Sequence, residues 1–353
     1  MSGTVTVLGA GAMGSALATP YRDAGWTVNL WGTRLDDHLL EACAAGWPHP
    51  RTGVPLADGT TLFVSERLDE ALDGADVAVL AIASVDVIEV ARRALHGISS
   101  ARALLLTSKG FAPDKSGTVR LLPDALRDLA REHQTGLPPI VAVGGPCKAN
   151  EVAAGRSTAT VFACRDTALA AQLAAELGTE AYRAEVTDDE TGVEICAPMK
   201  NVYAIALGLA DGLEQRHEEP FHNLKSAAFT RAVRELGLLC RMAGGRAETA
   251  VGLAGVGDLE VTGRSGRNKV YGARIGRGER ASTALEAMTT AEQTLEGVRA
   301  AHLVKDLVDQ LDAAAWPSLP LLTAILDVLD DATDPVGRIV DAVLPRIGAT
   351  RTA

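Results

Sequence analysis

The 353-residue chain carries 45 acidic and 34 basic side chains, which gives a formal net charge of −11. This excess of negative charge argues against sequence-independent binding to nucleic acid or to an anionic membrane, because both need positive charge. The length predicts about two domains. Five cysteines without CxxC spacing, and no charged leader before the first strand-like run, predict a cytoplasmic protein without a metal site. No apolar run reaches the ~18 residues of a membrane span.

The first half of the chain alternates short apolar runs with helical patterns. The runs predicted as buried strands are Thr4–Leu8, Val28–Trp31, Val77–Ile82, Ala103–Thr107, Ile140–Val143 and Thr158–Ala163. Segments between them, such as Gly14–Ala24 and Val87–Leu95, have helical spacing. Continuous apolar strands that alternate with helices predict a doubly wound α/β fold, with a parallel sheet covered on both faces.

The second half changes character at about Asp188, where strand-like runs stop and long amphipathic helices begin. The helices predicted there include Val193–Leu213, Ser226–Met242, Thr294–Leu311 and Leu319–Leu329. The chain is therefore predicted to form an α/β domain over residues 1–188 and an all-helical domain over residues 189–353.

A glycine-rich turn follows the first strand directly, with the pattern Gly9-x-Gly11-x-x-Gly14. Such a turn between a strand and a helix lets the backbone approach a pyrophosphate, whose charge then meets the helix N-terminus. The pattern alone is weak, but the strand before it and the helix after it are both in place. We therefore expect Gly9, Gly11, Ala12, Met13 and Gly14 to bind a dinucleotide.

The end of the second strand bears on which dinucleotide is bound. An NAD site usually offers Asp or Glu ~20 residues past the glycine turn, to hold the ribose 2′-hydroxyl. Here the strand ends in Trp31-Gly32-Thr33-Arg34, with no acid before Asp36. A hydroxyl and a guanidinium suit a 2′-phosphate, so NADP(H) is favoured and NAD(H) stays possible. The alternative is that Arg34 is a solvated surface arginine that stacks on adenine.

Four further segments carry polar residues that their surroundings do not require. They are Thr107–Gly110, Lys200-Asn201, Gly255–Asp258 with Thr262, and Arg267-Asn268. Burial among apolar residues disfavours the charged form of a lysine such as Lys200, unless the ammonium pairs with a carboxylate. Three of the four segments have an ordinary alternative: Lys200 could snorkel, Asp258 could cap a helix, and Arg267-Asn268 could be a surface pair.

Together these segments resemble the soluble NAD(P)-dependent glycerol-3-phosphate dehydrogenase family, over nearly the whole chain. The resemblance also covers Ser108-Lys109-Gly110, the loop from Gly145-Pro146 to Glu151, and Glu296-Gly297. It implies an N-terminal Rossmann-type domain, an all-helical C-terminal domain and a homodimer. The implied reaction interconverts dihydroxyacetone phosphate and glycerol 3-phosphate.

The resemblance also implies roles for individual residues. Lys200 is the general acid and base, Asp258 orients it, and Lys109 lies beside the substrate and lowers the pKa of Lys200. The implied substrate-binding residues are Asn201, Thr262, Arg267 and Asn268. The residues expected at the cofactor, beyond the glycine turn, are Thr33, Arg34, Ser84, Ala149, Arg267 and Glu296.

The chain departs from the family pattern near the substrate. The loop reads Gly145-Pro146-Cys147-Lys148-Ala149-Asn150-Glu151, with a thiol where relatives have a hydroxyl and a lysine where they have an aromatic residue. Lys148 is therefore a further candidate substrate-binding residue. These departures leave open a second function, on a different phosphate- or phosphonate-bearing ketone or alcohol. A non-catalytic dinucleotide sensor is a third possibility, although a sensor has no need of the titrating lysines that this chain keeps.

Overall fold

The computed structural model describes residues 3–291 and 293–345, and the chain forms two compact units. The first unit contains the described residues up to Asp114 together with Arg120–Glu194. The second contains Lys115–Val119 and the described residues from Ile195 onward. The outer ends of the two predicted domains, residues 1–2 and 346–353, lie outside the described residues.

The strands form one large sheet and one small one. They are β1 (Thr4–Leu8), β2 (Thr27–Trp31), β3 (Thr61–Phe63), β4 (Val77–Leu80), β5 (Ala103–Leu106), β6 (Phe111–Pro113), β7 (Val119–Leu121), β8 (Ile140–Gly144), β9 (Thr158–Ala163) and β10 (Tyr182–Thr187). The large sheet has eight strands in the order β10-β9-β8-β5-β4-β1-β2-β3, and β6 pairs with β7. The order reverses beside β1, and such a switch point is where open α/β sheets bind their ligands.

One pair of neighbouring strands breaks the predicted parallel pattern. β8 and β9 pair antiparallel, and β10 then pairs parallel to β9. The described connection from β8 to β9 contains one helix of five residues, Ala149–Ala153. A helix of that length is only about 7.5 Å long, too short to cross the sheet and return the chain to its other end. The parallel prediction is therefore correct for β1 to β5 and β8, and wrong for the β8–β9 pair.

Helices cover both faces of the large sheet. They are α1 (Ala12–Asp23), α2 (Asp37–Ala44), α3 (Leu68–Leu72), α4 (Val87–Ser99), α5 (Leu122–Glu132), α6 (Ala149–Ala153) and α7 (Thr167–Leu177). Alternate residues of one strand enter different cores: Val77 and Val79 pack with α1 and α7, and Ala78 and Leu80 pack with α3 to α5. This alternation confirms the predicted doubly wound, Rossmann-type architecture.

The described part of the second unit is helical. Its helices are α8 (Glu190–His217, which starts in the first unit), α9 (His222–Met242), α10 (Ala247–Val251), α11 (Asp258–Arg264), α12 (Arg267–Gly276), α13 (Ala281–Thr290), α14 (Glu296–Asp312), α15 (Pro320–Leu329) and α16 (Pro335–Val343). α8 is long and apolar enough to cross a membrane, but its most apolar stretch is entirely buried, as in the core helix of a globular protein.

Candidate active site

The glycine turn after β1 has the shape that a dinucleotide needs. Gly9 has φ +117°, and a side chain on Gly14 would put its Cβ 1.9 Å from the Gly9 carbonyl oxygen. Gly11 precedes α1 and offers no side-chain cap to the first turn of that helix. The first amide groups of α1 can therefore donate to a phosphate that approaches the turn. Ala12 and Met13 lie in this first helical turn.

Just after β2, the Asp36 carboxylate contacts Thr33, which the sequence did not predict. Asp36 lies in the short helical turn that precedes α2, and its Oδ2 accepts hydrogen bonds from the Thr33 amide (3.0 Å) and the Thr33 hydroxyl (2.9 Å). Arg34 is 83% exposed and lies 3.6 Å from Glu66. Thr33 is thus fixed by Asp36, whereas the Arg34 guanidinium is available to a solvent-facing anion.

Two residues beside the glycine turn were missed by the sequence reasoning. The buried His49 ring lies 3.0 Å from the Ala10 carbonyl oxygen, and the Arg51 guanidinium lies 3.6 Å from the position that a Cβ on Gly11 would occupy. Both belong to the loop between α2 and β3. A His-Pro-Arg stretch in a loop fits no binding motif, so only the tertiary structure brings it to the turn.

The segments after β4 and β5 pack on each other. The Ser108 hydroxyl donates to the Ile82 carbonyl (2.6 Å) and accepts from the Ile82 amide (3.2 Å). A Cβ on Gly110 would lie 2.3 Å from the Ser84 Cβ, so the two segments are in direct contact. This packing holds Ser84 and the half-buried Lys109 at the carboxyl edge of the sheet.

The loop after β8 presents the residues at which the chain departs from the pattern that it resembles. Gly145 has φ +98°, and the turn continues to Lys148, which precedes α6 and has an exposed side chain. Cys147 and Ala149 are half-buried beside it. The Lys148 ammonium is thus open to solvent at the carboxyl edge of β8.

In the second unit, Lys200 and Asp258 form an ion pair. Lys200 lies in α8 with 12% of its side chain exposed, and the Asp258 side chain has no exposed surface. Asp258 is the first residue of α11, after a π-helical turn over Leu253–Gly257. The snorkelling alternative for Lys200 is therefore wrong, and Asp258 does more than cap a helix.

Hydrogen bonds connect the next predicted residues to one another. The Asn201 side-chain amide donates to Glu296 Oε2 (3.3 Å), and the Gly297 amide donates to Asn268 Oδ1 (3.0 Å). A Cβ on Gly297 would lie 2.5 Å from the Asn201 carbonyl oxygen, so α14 begins directly against α8. The half-buried Thr262 follows Asp258 by one turn of α11. Lys200, Asn201, Asp258, Asn268 and Glu296 are thus linked within one unit.

Arg267 and Asn268 begin α12 rather than standing in a surface loop. Gly266, with φ +149°, precedes the helix and supplies no side-chain cap. Asn268 is buried, while Arg267 is exposed and donates to the Thr294 hydroxyl at 2.7 Å. A guanidinium beside the free amide groups of a ten-residue helix is suited to a phosphate.

Helices α8 and α12 cross with their backbones in contact. A Cβ on Gly208 would lie 2.0 Å from the Lys269 carbonyl oxygen, and a Cβ on Gly272 would lie 2.0 Å from that of Ile205. Asp211 adds ion pairs to Lys225 and to Lys269, the latter at 2.5 Å. The helix that carries Lys200 is therefore locked to the helix that begins with Arg267.

The carboxylate of Glu235 lies in the core of the second unit. It accepts hydrogen bonds from the Leu321 amide (2.7 Å), the Leu322 amide (2.9 Å) and the Tyr203 hydroxyl (3.1 Å). Burial outweighs these bonds and raises the pKa of Glu235 to about 7. Through Glu235, α9 joins α8 to the first turn of α15.

The predicted residues thus form two sets. The first unit holds those expected at the cofactor apart from Arg267 and Glu296, with Lys109 and Lys148. The second holds these two residues, the Lys200–Asp258 pair and the residues linked to it. Over residues 3–291 and 293–345, no three His, Cys, Asp or Glu side chains are grouped as metal ligands. A Rossmann-type sheet with a dinucleotide turn, and a buried lysine paired with a carboxylate, define the class of dinucleotide-dependent oxidoreductases.

Comparison with known proteins specifies the family. The models of the NAD-dependent glycerol-3-phosphate dehydrogenase N-terminus and C-terminus match residues 4–170 and 189–339. An NADP(+)-dependent glycerol-3-phosphate dehydrogenase of Archaeoglobus fulgidus is 36% identical over 88% of this chain and 91% of its own. A glycerol-3-phosphate dehydrogenase [NAD(P)+] of Thiobacillus denitrificans is 34% identical over 97% and 98%. The chain belongs to the NAD-dependent glycerol-3-phosphate dehydrogenase family, as the sequence resemblance predicted.

A solved structure agrees with this assignment. The glycerol-3-phosphate dehydrogenase of Coxiella burnetii superposes with a TM-score of 0.81 at 29% identity. The superposition covers 96% of this chain and 98% of the other. The predicted combination of a Rossmann-type domain with a helical domain is therefore confirmed.

Proposed function

We propose that this protein interconverts dihydroxyacetone phosphate and glycerol 3-phosphate with NADP(H) as its favoured cofactor. The observation that carries the proposal is the Lys200–Asp258 ion pair, in which a lysine of a largely apolar helix meets a fully buried carboxylate. The names of the Archaeoglobus and Thiobacillus relatives support the same substrate and cofactor class.

Lys200 moves the proton in the proposed mechanism. The bound dinucleotide supplies the hydride for ketone reduction. The Lys200 ammonium donates a proton from Nζ to the carbonyl oxygen, and neutral Lys200 accepts it again in the reverse direction. The Asp258 carboxylate keeps Nζ at a fixed place, so the positive charge stands where alkoxide charge develops.

The substrate phosphate is assigned to the start of α12. Arg267 donates from a side chain, and the first amide groups of the helix donate from the backbone. Asn268, Asn201 and Thr262 complete the proposed polar surroundings of the substrate. Lys109 and Lys148 belong to the other unit, and we propose that they add positive charge for the phosphorylated substrate.

The residues of the first unit fit a dinucleotide. Gly9, Gly11, Ala12, Met13 and Gly14 are assigned to the pyrophosphate, and the crowding at Gly14 supports a close approach of the helix to the strand. Arg51, beside Gly11, adds a cation for it. Thr33 and Arg34 are assigned to the ribose and a 2′-phosphate. The further proposed cofactor residues are Ser84, Ala149, Arg267 and Glu296. A homodimer and a cytoplasmic location complete the proposal.

A second candidate function keeps the chemistry and changes the substrate. The exposed Lys148 and half-buried Cys147 favour a relative that acts on another phosphate- or phosphonate-bearing ketone or alcohol. A panel of ketones, read by NADPH absorbance, separates the two. Reduction of dihydroxyacetone phosphate with a kcat/KM at least about tenfold above the other ketones supports the first function. Reduction of another phosphorylated ketone in preference supports the second. Dinucleotide binding with no turnover of any ketone, by wild type or Lys200→Ala, favours the sensor.

A further inference from the structure

His49 is a buried histidine held in a single hydrogen-bonding state. Only 1% of its surface is exposed, although its neighbours Pro48 and Pro50 lie at the protein surface. Its Nδ1 accepts a hydrogen bond from the Arg51 amide at 3.2 Å. Its Nε2 lies 3.0 Å from the Ala10 carbonyl oxygen, which can only accept. Both contacts are satisfied only when Nδ1 is bare and Nε2 carries the proton, so the ring is neutral.

The contact joins a tight turn to the dinucleotide turn. The His49 carbonyl accepts hydrogen bonds from the Thr52 amide (3.1 Å) and the Gly53 amide (2.8 Å), and the His49 amide donates to the Val54 carbonyl (2.9 Å). The resulting turn places Arg51 beside Gly11. Ala10 stands between Gly9 and Gly11, at the centre of the glycine turn. His49 therefore contacts the glycine turn directly and belongs to the tight turn that places Arg51 beside it.

We propose that His49 is a positioning residue for the dinucleotide, and that a proton on Nδ1 breaks the hydrogen bond from the Arg51 amide and weakens cofactor binding. The protonated ring would point an N–H group at the Arg51 amide, so the two donors would repel and the turn would open. The inference rests on the proposed function only in that the glycine turn binds a dinucleotide.

The surroundings of His49 favour its neutral form. Burial is the largest cause that lowers its pKa below the ordinary value, and the charge of Arg51 and that of His38 act in the same direction. The hydrogen bond to Ala10 and the charge of Asp36 act against it. The native state therefore keeps His49 neutral below ~6.5, the ordinary histidine pKa, and the hydrogen bond from the Arg51 amide is lost only as the pH falls through the lowered native pKa.

Two substitutions distinguish the effect of the hydrogen bond to Ala10 from the effect of protonating the His49 ring. In His49→Gln the side-chain amide reaches the place of Nε2 and donates to Ala10, but it does not titrate. In His49→Asn the side chain is too short for Ala10. The exposed His133 at the end of α5 offers a matched control, His133→Asn.

The experiment measures the dissociation constants of NADP⁺ and NAD⁺ by calorimetry between about pH 5 and pH 8. NAD⁺ is included because it lacks the 2′-phosphate, which itself titrates near pH 6. At pH 8 we expect His49→Asn to bind both cofactors about 5- to 10-fold more weakly, and His49→Gln within about 3-fold of wild type. At low pH we expect wild type and His133→Asn to bind NAD⁺ ~5-fold more weakly than they do at pH 8. We expect both His49 variants to keep the NAD⁺ affinity that they have at pH 8.

Two results would overturn the inference. One is that wild type and His49→Asn bind the cofactors with equal affinity at pH 8. The other is that His49→Gln loses cofactor affinity at low pH as wild type does. If wild type binds neither cofactor at any pH, the proposed function fails with it. The KM for dihydroxyacetone phosphate at saturating cofactor is a separate readout. It stays unchanged in His49→Asn if His49 acts on the cofactor, and a rise would overturn the assignment.

Discussion

Lys200 and Asp258 form an ion pair across two helices, and the carboxylate is shielded from water on every side. The Lys200 ammonium keeps a fixed position, because its partner carboxylate has no exposed surface at which water could compete for it. Removal of either member leaves the other in a poorly hydrated place, where an unpaired charge is costly. In the proposed mechanism, the pair therefore holds the Lys200 ammonium in place for proton transfer to a bound ketone.

The proposed role of Lys200 predicts a loss of turnover without a loss of cofactor. Lys200→Ala should lower kcat for dihydroxyacetone phosphate reduction by ~10²- to 10⁴-fold, because the general acid is removed. The dissociation constant of NADPH should stay within about twofold of wild type. NADPH absorbance and fluorescence titration measure the two quantities. Ordinary turnover by Lys200→Ala would remove Lys200 from the mechanism.

The start of α12 predicts where substrate affinity resides. Arg267→Ala should raise the KM for dihydroxyacetone phosphate by ~10- to 100-fold, because a charge-assisted hydrogen bond to phosphate is lost. Arg277→Ala, which removes an exposed arginine just after the same helix, is the matched control and should leave the KM unchanged. With unphosphorylated dihydroxyacetone, wild type and Arg267→Ala should be equally poor. A large difference on that substrate would contradict phosphate binding.

Arg34 predicts the cofactor preference. Its guanidinium is exposed and only loosely paired with Glu66. Arg34→Ala should weaken NADPH binding by ~10-fold and leave NADH binding unchanged, because only NADPH carries the 2′-phosphate. Competition titrations with both cofactors measure the ratio. Equal weakening of both would instead fit an arginine that stacks on adenine.

Glu235 predicts a pH-dependent stability of the second unit. Because its pKa is raised from 4.5 to about 7 in the fold, the native state holds the proton more tightly than the unfolded chain. The stability from this group is fully present below about pH 4.5 and is lost as the pH rises through about 7, a change of roughly 3 kcal/mol at most. Glu235→Gln should remove this pH dependence, and urea unfolding at pH 5 and pH 8 measures it. An unchanged dependence in the variant would assign it to other groups.

The close crossing of α8 and α12 predicts that one methyl group added at Gly208 lowers the stability of the protein. Gly208→Ala places a Cβ against the Lys269 carbonyl, so the helices must separate, at a cost of about 1–3 kcal/mol in unfolding free energy. Both kcat and substrate KM should worsen. Gly237→Ala is the matched control, since its Cβ would meet its nearest neighbour at an ordinary 3.6 Å. Thermal unfolding together with steady-state kinetics measures both variants; wild-type behaviour of Gly208→Ala would contradict the close contact.

The fold followed from local patterns where those patterns were strong. Apolar strands such as Thr4–Leu8, and long helices such as α8 and α9, were predicted because burial repeats along the sequence itself. The strands β3, β6, β7 and β10 were missed. β3, β6 and β7 have only three residues each, and β10 carries exposed Arg183 and Glu185 at the edge of the sheet. β9 was predicted with its observed bounds, Thr158–Ala163, but its antiparallel direction was missed because strand direction depends on the connection rather than on the strand.

The candidate site was predictable to the extent that its residues lie in motifs. Lys200 stood out because an apolar helix has no need of a lysine, and the glycine turn because its spacing is defined. His49 and Arg51 could not be found, since their importance comes from contact with Ala10 and Gly11, about 40 residues earlier. Asp36 was noted in the sequence, but the hydrogen bond that its carboxylate accepts from Thr33 depends on the helical turn that contains it.

The glycine contacts between α8 and α12 also bear on substrate length. Because backbone meets backbone, the separation between α8 and the first turn of α12 is set by main-chain atoms, and the ion pair with Asp258 holds the Lys200 ammonium in place. In the proposed function, a substrate bound at both points would need its carbonyl and its phosphate at a defined spacing. We therefore expect a ketone phosphate with an extra methylene between the two groups to be reduced less well than dihydroxyacetone phosphate. The helix crossing would then select substrates by chain length.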